Sequence, residues 1–547
     1  TEPFSPYEVS LSIVRVYPPP ANITIAPLGF NEVVNASCAE GERRYFRTPR
    51  VPAGSDILVS LSTTAGEAFL VTSGVVETPT LVNAGEEGVE RVNILREPRE
   101  DGTKWPLIVG TGGGFDTPLS ISSGPAGLGA ITGIFAQSFS MQSIGGNESV
   151  LTSVGGSDGF IKVFQKSDGV ILQAASFGGQ LDDSCHSASF DPYEFSIADG
   201  QKIVYVYFIC SFKTDFLGTA HLSKSSIEFK SALESVDFVL VKMEVYSGRI
   251  VWTSSPRSSG DENAMAVSAD GLGGVVVAGS FSGTSELVPG QEPLVSASGT
   301  LDAFVAGVNA SGSVMWAVKL GGTGADEAKT IVHANPSRAY VAGTYEGFAL
   351  TKRGPEEVDG LFRIVSVVGS VDSWIGCLKT NVSDIRWLWL DTMGSTNADN
   401  TRSLILWPPV SLEDFLSFDP FLSTPQIYNY DFPDVVVAGR CGAEATVAGA
   451  MCEGFACPFG PRGAEVPQFA AVSVFGGAGG QDACYLRLRG KDGALKWSVA
   501  VGGSADDEGT GVTSSSDGQY LVGQLTFRGD CSSEGCGFGD VTHTETV

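Results

Sequence analysis

Short apolar runs separated by glycine-rich turns make up most of the chain. Runs such as IVYVYFI (203–209) and VVVAG (275–279) are rich in β-branched and aromatic residues, and Gly, Asp-Gly or Ser-Gly turns separate them. β-Branched and aromatic side chains suit the pleated surface of a sheet, and turn residues bound strands. The pattern therefore predicts an all-β protein.

A pattern of about 65 residues recurs along the chain. Residues 302–343 read Asp, a hydrophobic strand, a Gly turn, a strand with Trp, a Gly-Gly turn, acidic residues, a small-residue strand and a strand closing in Val-Ala-Gly. The same order occurs in 237–279 and 482–523, and degenerate copies start at Asp158, at Asp372 and near residue 90. Four strands per period predict one propeller blade, whose faces neighbouring blades must cover.

Two residue types mark equivalent positions of the copies. One Trp position comprises Trp105, Trp252, Trp316, Trp387 and Trp497. One acidic turn position comprises Asp116, Asp182, Asp261, Asp326, Asp399 and Asp506. We predict that the Trp side chains pack between blades and that the Asp side chains accept hydrogen bonds from nearby backbone amides. Asp507 and Glu508 are expected to be solvated charges.

The string DAFVAGVNASGSVMWAVKLGGTGADEA (302–328) resembles the SBBP-type β-propeller repeat. That repeat joins an Asp-Ala-Phe-Val strand to a Trp, a Gly-Gly turn with an Asp, and a Val-x-Gly strand. The resemblance covers roughly residues 88–530 and implies a propeller of six or seven four-stranded antiparallel blades. It implies architecture alone and carries no catalytic residue to this chain.

Residues 1–85 fit two arrangements. Residues 40–80, with YFR, VPAG and LVTSG, resemble a β-sandwich of the pre-peptidase C-terminal type, whereas 55–74 also align with half a blade. We predict an N-terminal β-sandwich-like domain, or alternatively a first blade, before a propeller at 86–547. Long insertions at 408–433 and 441–480 are predicted to fold over the blade rim or to contact another chain.

The 547 residues carry a formal net charge of −28. Because phosphate binding needs clustered Lys and Arg, this charge excludes nucleic acid and anionic membranes as partners. No apolar stretch approaches the roughly 18 to 20 residues that cross a bilayer, so no membrane insertion is expected in this segment. Because residue 1 is Thr, we expect a processed or partial chain.

Sequons and cysteines predict an extracellular or cell-surface glycoprotein. The sequons are Asn22, Asn35, Asn147, Asn309 and Asn381. Ten Cys suggest disulfides, for which the candidate pairs are Cys185 with Cys210, Cys452 with Cys457, and Cys531 with Cys536. A zinc site is the alternative, but the four His are scattered. No cofactor is predicted; calcium bound by the acidic turns remains an alternative.

The chain carries none of the common catalytic motifs, and its acidic pairs recur once per blade. A catalytic pair should be singular, so repeated pairs indicate a structural role. We therefore predict a non-enzymatic structural or adhesive protein, a subunit of a surface filament, appendage or sheath that binds its own copies or matrix partners. The alternatives are a secreted lyase or glycosidase with its site in the propeller funnel, and a glycan- or peptide-binding module.

Overall fold

The computed structural model describes most of residues 116–524, without 142–148, 197–201, 221–225, 231–234, 353–360, 366–370, 408–431, 454–465, 468–471, 474–480, 502–505 and several shorter gaps. It also describes strands between residues 25 and 94 and at 542–545. Every described element is a strand except one turn of 3₁₀ helix at Pro125–Gly127. The all-β prediction is confirmed.

The strands before residue 95 form three pairs. They are β1 (Ile25–Pro27), β2 (Tyr45–Arg47), β3 (Ile57–Ser62), β4 (Ala68–Thr72), β5 (Thr80–Ala84) and β6 (Val89–Ile94). β1 pairs with β2 in parallel, whereas β3 with β6 and β4 with β5 are antiparallel.

Five successive sheets share an antiparallel order of four strands, which we name A, B, C and D, as the repeat predicts. The first has β7 (Asp116–Ser123), β8 (Leu128–Met141), β9 (Ser149–Gln165) and β10 (Ile171–Gly178); the second β11 (Ser184–Phe190), β14 (Tyr205–Lys213), β17 (Val236–Glu244) and β18 (Ile250–Ser254); the third β19 (Glu262–Ala269), β20 (Val275–Phe281), β23 (Asp302–Val308) and β24 (Val314–Gly322). The fourth has β25 (Glu327–Asn335), β26 (Arg338–Glu346), β29 (Val371–Asn381) and β30 (Asp384–Gly394); the fifth β31 (Asn400–Trp407), β32 (Asp434–Cys441), β37 (Asp482–Leu488) and β38 (Leu495–Val501). A sixth sheet is described by its A and B strands, β39 (Glu508–Ser515) and β40 (Gly518–Gln524).

Each sheet packs its A strand on the preceding sheet. Thus β11 contacts β7 and β8, β19 contacts β11 and β14, β25 contacts β19 and β20, β31 contacts β25 and β26, and β39 contacts β31 and β32. Because both faces of an inner sheet are covered in this way, its central strands B and C are buried almost throughout, as in β20 and β23, whose seven residues each are all buried. Strand A alternates in part, as in β25.

In the second, fourth and fifth sheets the connection between strands B and C reaches back to the preceding sheet. The strands outside the four-strand units are β12 (Phe195–Ser196), β13 (Lys202–Ile203), β15 (Asp215–Ala220), β16 (Ser226–Lys230), β21 (Thr284–Ser285), β22 (Leu294–Val295), β27 (Phe348–Lys352), β28 (Leu361–Val365), β33 (Thr446–Gly449), β34 (Met451–Glu453), β35 (Val466–Pro467), β36 (Val472–Ser473) and β41 (Thr542–Glu545). β15 pairs with β10, β27 with β24, β33 with β30, and β41 with β38. Strand D, which would otherwise be an open edge, therefore has a partner in these sheets.

The two predicted insertions lie in different connections. Residues 408–431 fall between β31 and β32 and lie outside the described residues. The insertion at 441–480 contains β33 to β36, of which β33 pairs with the fourth sheet and β34 with β28. The described strands of this insertion thus belong to the sheet edges.

Candidate functional site: carboxylate pairs at the sheet junctions

Two series of carboxylates meet where one sheet packs on the next. The first series begins the buried run of strand C, which in the long β9 starts at Asp158, and we name its members the strand-start aspartates: Asp158, Asp237, Asp302, Asp372 and Asp482. The second immediately precedes or begins strand A, and we name its members the turn carboxylates: Asp116, Asp183, Glu262, Asp326, Asp399 and Asp507. Apart from the half-buried Asp116, all are buried, with at most 4% of each residue exposed.

The turn carboxylate ties three segments together, as Asp326 illustrates. Its Oδ2 accepts the backbone N–H of Gly322 at 2.8 Å, and its Oδ1 accepts that of Glu346, at the end of strand B, at 3.4 Å. Its own N–H donates to the carbonyl of Leu301, just before strand C of the preceding sheet, at 2.8 Å. Carboxylates that accept backbone N–H groups in this way satisfy buried donors.

Asp183 and Asp399 repeat this arrangement. Asp183 accepts from Gly179 at 2.6 Å and from Lys213 at 3.0 Å. Asp399 accepts the backbone N–H of Ser395 at 2.7 Å and that of Gly442 at 2.9 Å. The turn carboxylates at three different junctions therefore make equivalent hydrogen bonds.

These junctions explain the Gly-Gly turn of the repeat. The first glycine lies against a strand-start aspartate: Gly178 against Asp158, Gly321 against Asp302, and Gly394 against Asp372. A Cβ at any of the three would overlap the carboxyl group. The next residue supplies the N–H that the turn carboxylate accepts, so the motif specifies the geometry of the junction.

Burial raises the pKa values of several of these carboxyl groups. It raises the pKa of Asp326 and of Glu262 to about 8, with Asp302 and Asp237 as nearby like charges. Burial raises the pKa of Asp158 to about 7 and that of Asp183 to about 6, the two being neighbours. The causes are desolvation and like-charge repulsion, so such a pair retains a proton near neutral pH.

Proton-sharing carboxylates can perform acid–base chemistry, but their setting here is enclosed. The pairs recur about every 65 to 110 residues at successive junctions, and the turn carboxylates accept hydrogen bonds from the backbone of the fold. Asp302 accepts from Lys319 Nζ at 2.6 Å instead. A substrate would have to displace those bonds to reach an oxygen atom. The arrangement favours a structural role over catalysis.

The predicted acidic series is out of register in three copies. Asp116, Asp326 and Asp399 are turn carboxylates, but Asp182, Asp261 and Asp506 each precede one by a single residue. These three are exposed and accept backbone N–H groups of Ser157, Val236 and Gln481. The adjacent acidic residue hides the correct register because either member of a doublet fits the spacing.

The expectation for Asp507 is wrong, since only 3% of it is exposed and its N–H donates to the carbonyl of Gln481. Glu508 is not an isolated solvated charge either. It accepts from Arg402 Nε at 2.7 Å in an ion pair between the fifth and sixth sheets. The exposed Asp182 behaves differently from the buried carboxyl groups. Hydrogen bonds from the backbone N–H and the hydroxyl of Ser157 hold its pKa below the usual value.

The Trp position also needs one correction. Trp252, Trp316 and Trp497 each pair with the residue five positions after a strand-start aspartate. In the fourth sheet that partner, Cys377, pairs with Trp389, so Trp387 was wrongly assigned. The strand C to strand D hairpin is two residues longer there, and a sequence alignment that ignores this length selects the first Trp.

The Trp position joins neighbouring sheets, as predicted. Trp252 donates its Nε1–H to the carbonyl of Ala310 at 2.9 Å, and Trp389 donates to that of Gly490 at 2.8 Å. Both carbonyls lie in the strand C to strand D turn of the next sheet. Trp387 instead donates to Thr351 Oγ1 at 3.1 Å and packs on Trp374.

The cysteines form one predicted and one unpredicted disulfide. Cys185 and Cys210 are bonded across strands A and B of the second sheet. Cys441 and Cys484 are bonded across strands B and C of the fifth. The second pair could have been found from its positions, each two residues after a marker of the repeat, Gly439 and Asp482. Cys377 is a buried free thiol.

The disulfide in the second sheet replaces the last residue of the Val-x-Gly motif. In the third and fourth sheets, Gly279 and Gly343 lie so close to strand A that a Cβ would overlap its backbone. Cys210 occupies this position opposite Cys185, with their Cα atoms 3.9 Å apart. The close approach that elsewhere requires glycine is bridged here by sulfur.

Replacing this disulfide by its counterparts in the other sheets should preserve the fold at lower stability. We expect Cys185→Ala with Cys210→Gly, the pair found as Ala264 and Gly279, to lower the free energy of unfolding by about 2–4 kcal/mol. Cys185→Ala with Cys210→Val should lose more, because Val adds a branched side chain at the close approach. Denaturant unfolding followed by Trp fluorescence measures both; equal losses would contradict the assignment.

Several predicted residues lie outside the described residues. These are Asn22, Asn35, Asn147, Trp105, Cys457, Cys531 and Cys536, together with the side chain of Cys452. Asn309 is half-buried and Asn381 exposed, and both lie in strand C to strand D turns. In the described part of the chain no group of three or more His, Cys, Asp or Glu side chains is arranged to hold a metal ion.

The described residues include no helix long and apolar enough to cross a membrane. The two disulfides are compatible with a secreted or extracellular protein. No protein-family model matches the chain, and no curated protein matches it.

Proposed function

We propose that the six sheets are blades of a β-propeller in a non-enzymatic extracellular protein, a structural or adhesive subunit of a surface filament, appendage or sheath. The successive packing of A strands supports the propeller. The observation that carries the structural role is that the acidic turns recur at sheet junctions and bond to the backbone. The disulfides support the extracellular location.

We propose that the contact surface for assembly lies at one end of the sheets. This end carries the A–B and C–D turns, and we name it the turn end. There Leu272 is 71% and Tyr246 is 37% exposed, in turns of the third and second sheets. The two turns belong to contacting sheets, since Tyr207 and Lys242 of the second bond to Gly273 of the third. Exposed aromatic and aliphatic side chains are typical of protein contacts.

Glycosylation is proposed on the same end, in the third and fourth sheets. Asn309 Oδ1 accepts N–H groups from Ser311 and Ser313, which orders the turn around the sequon. Asn381 starts the corresponding turn of the fourth sheet. Glycans there would border the proposed contact surface and limit which copies or matrix proteins can approach it.

Self-association of the purified chain tests this proposal. We expect Leu272→Glu and Tyr246→Glu to weaken concentration-dependent association by about tenfold or more, since each places a charge in an apolar contact. Leu181→Glu is the matched control, because Leu181 is 45% exposed but lies in a D–A turn at the opposite end. Sedimentation velocity measures all three proteins.

Two outcomes would refute the proposal. One is a wild-type chain that remains monomeric at every concentration and is absent from filaments or sheaths imaged on native cells. The other is turnover of a polysaccharide by the wild-type chain, which would favour the lyase or glycosidase alternative. Saturable binding of a glycan without turnover or assembly would favour the binding module.

A further inference from the structure

The first sheet has an apolar position that is covered in every other sheet. Ile121 of β7 is 73% exposed. Its equivalents, five residues after the turn carboxylate, are 4–8% exposed: Ala188, Val267, Ile331, Leu404 and Val512. Each equivalent belongs to a core shared with the preceding sheet, as Val267 does with Tyr207 and Ile209. Ile121 therefore faces the place of a sheet that precedes the first.

The hydrophobic cores point to the same place. Five cores join consecutive sheets, from the first and second through to the fifth and sixth. Among the described residues, the remaining core draws on the first sheet alone, and its members are Ile131, Phe135, Leu151, Phe160, Phe164 and Ala174. Six sheets in a closed ring have six junctions, and this core is in the position of the sixth.

The sixth sheet is described by strands A and B, and the spacing of Glu90 and Trp105 indicates a strand C that starts near residue 90. Glu90 precedes Trp105 by fifteen positions, as Asp237 precedes Trp252 and Asp482 precedes Trp497. An acidic residue and a Trp at this spacing mark strand C and strand D in the second and fifth sheets. Strand β6, Val89–Ile94, lies at the position of strand C.

We propose that β6 pairs with β40, so that the sixth sheet is built from both halves of the sequence, and that this sheet docks on the first over Ile121 and closes a six-sheet ring. The inference rests on the proposed propeller and specifies how it closes. One edge of β6 carries β3 in this structure, so β3 lies beside β6 where the other sheets have strand D, and the proposed pairing uses the other edge of β6. Pairing within one chain is favoured over pairing with a second copy, because the effective concentration of two strands of the same chain is higher.

The other sheets fix the register of the new pairing. The last residue of the Val-x-Gly motif lies opposite the second residue after the strand-start aspartate: Gly279 opposite Phe304, and Gly439 opposite Cys484. Gly523 of β40 should therefore lie opposite Val92 of β6. By the same equivalence, Leu525 and Val92 correspond to Cys441 and Cys484, which are disulfide-bonded.

A cross-link tests the register directly. We expect Val92→Cys with Leu525→Cys to form a disulfide within one chain, identified by peptide mapping under non-reducing conditions and by an unchanged monomer mass. Val92→Cys with Gly518→Cys is the control. Gly518 lies five residues before Gly523, the residue expected opposite Val92, so this pair should not cross-link. A disulfide between two chains would overturn the proposal in favour of sheet exchange between copies, and the absence of any cross-link would overturn it outright.

Thiol labelling tests the docking face independently of the engineered pair. Ile121→Cys should react at least about tenfold more slowly than Leu181→Cys, which lies outside the proposed assembly contact, although the two native side chains are 73% and 45% exposed. Equal rates would show that nothing covers the first sheet. Failure of either experiment leaves the turn-end assembly variants unaffected, so the two proposals fail separately.

Discussion

The free energy of unfolding should fall by about 3 kcal/mol or more when the pH is raised from 5 to 8. Burial raises the pKa values of Asp326 and Glu262 to about 8 and of Asp158 to about 7, whereas an unfolded carboxyl titrates near 4. Between these values the folded protein holds protons that the unfolded chain releases. For each such proton, the free energy of unfolding falls by about 1.4 kcal/mol per pH unit. The contribution of each group is therefore greatest below its pKa in the unfolded chain and is lost as the pH rises through its pKa in the folded protein.

Urea unfolding at pH 5, 6, 7 and 8, followed by Trp fluorescence, measures this slope. Asp158→Asn should flatten it and raise stability at pH 8 by about 1–3 kcal/mol, because the amide oxygen can still accept the N–H of Val154. Asp182→Asn is the matched control, since the pKa of exposed Asp182 lies below its usual value and does not titrate in this range. A stability that rises toward pH 8, or an Asp158→Asn variant with the wild-type slope, would contradict the buried-pair interpretation.

The repeat could be predicted from the sequence because its marker residues serve local geometry. Gly321 makes room for Asp302, and Gly322 donates to Asp326, so each departure from the pattern costs packing or a hydrogen bond. Those requirements recur at every junction and leave a readable spacing. The all-β class and the four-strand order follow from that spacing together with the apolar runs.

The errors arise where spacing alone cannot distinguish two residues. In Asp182-Asp183 both members fit, and only burial separates the exposed side chain from the one that closes the junction. In the fourth sheet a longer hairpin moves the Trp position from Trp387 to Trp389. The pairing of strand D with the B–C connection has no marker residue, because backbone hydrogen bonds make it.

The two carboxylates of a junction belong to different sheets, so the junction depends on both sheets and not on one alone. Asp302 begins strand C of the third sheet, and Asp326 begins the path into the fourth. Protonation at one junction therefore changes how two sheets adhere. This coupling explains how a strongly acidic chain can enclose so many carboxyl groups without a counter-ion at each.

Gly343→Ala should lower the free energy of unfolding by about 2–5 kcal/mol, although it adds a single methyl group. A Cβ at residue 343 would overlap the carbonyl oxygen of Glu327 and press on the Cα of Ala328, so strands A and B of the fourth sheet must separate. Ala328 and Val341 lie in the core shared with the third sheet, and the separation would loosen that core as well. Where a glycine has room for a Cβ and an ordinary φ, replacement by Ala raises the free energy of unfolding by about 0.4–1 kcal/mol. A loss of stability in Gly343→Ala would therefore indicate the close approach of the two strands.

Gly169→Ala separates steric overlap from backbone strain. Gly169 has a φ of 72°, and nothing lies within 4 Å of a Cβ placed there, so its replacement costs only the left-handed conformation, about 1–2 kcal/mol. Denaturant midpoints at pH 5, where Asp158, Glu262 and Asp326 hold their protons, compare the two variants without interference from the titration of these groups. A Gly343→Ala protein as stable as the wild type would mean that strands A and B do not approach closely, and the explanation of Cys185 and Cys210 as a bridged version of that approach would fail with it.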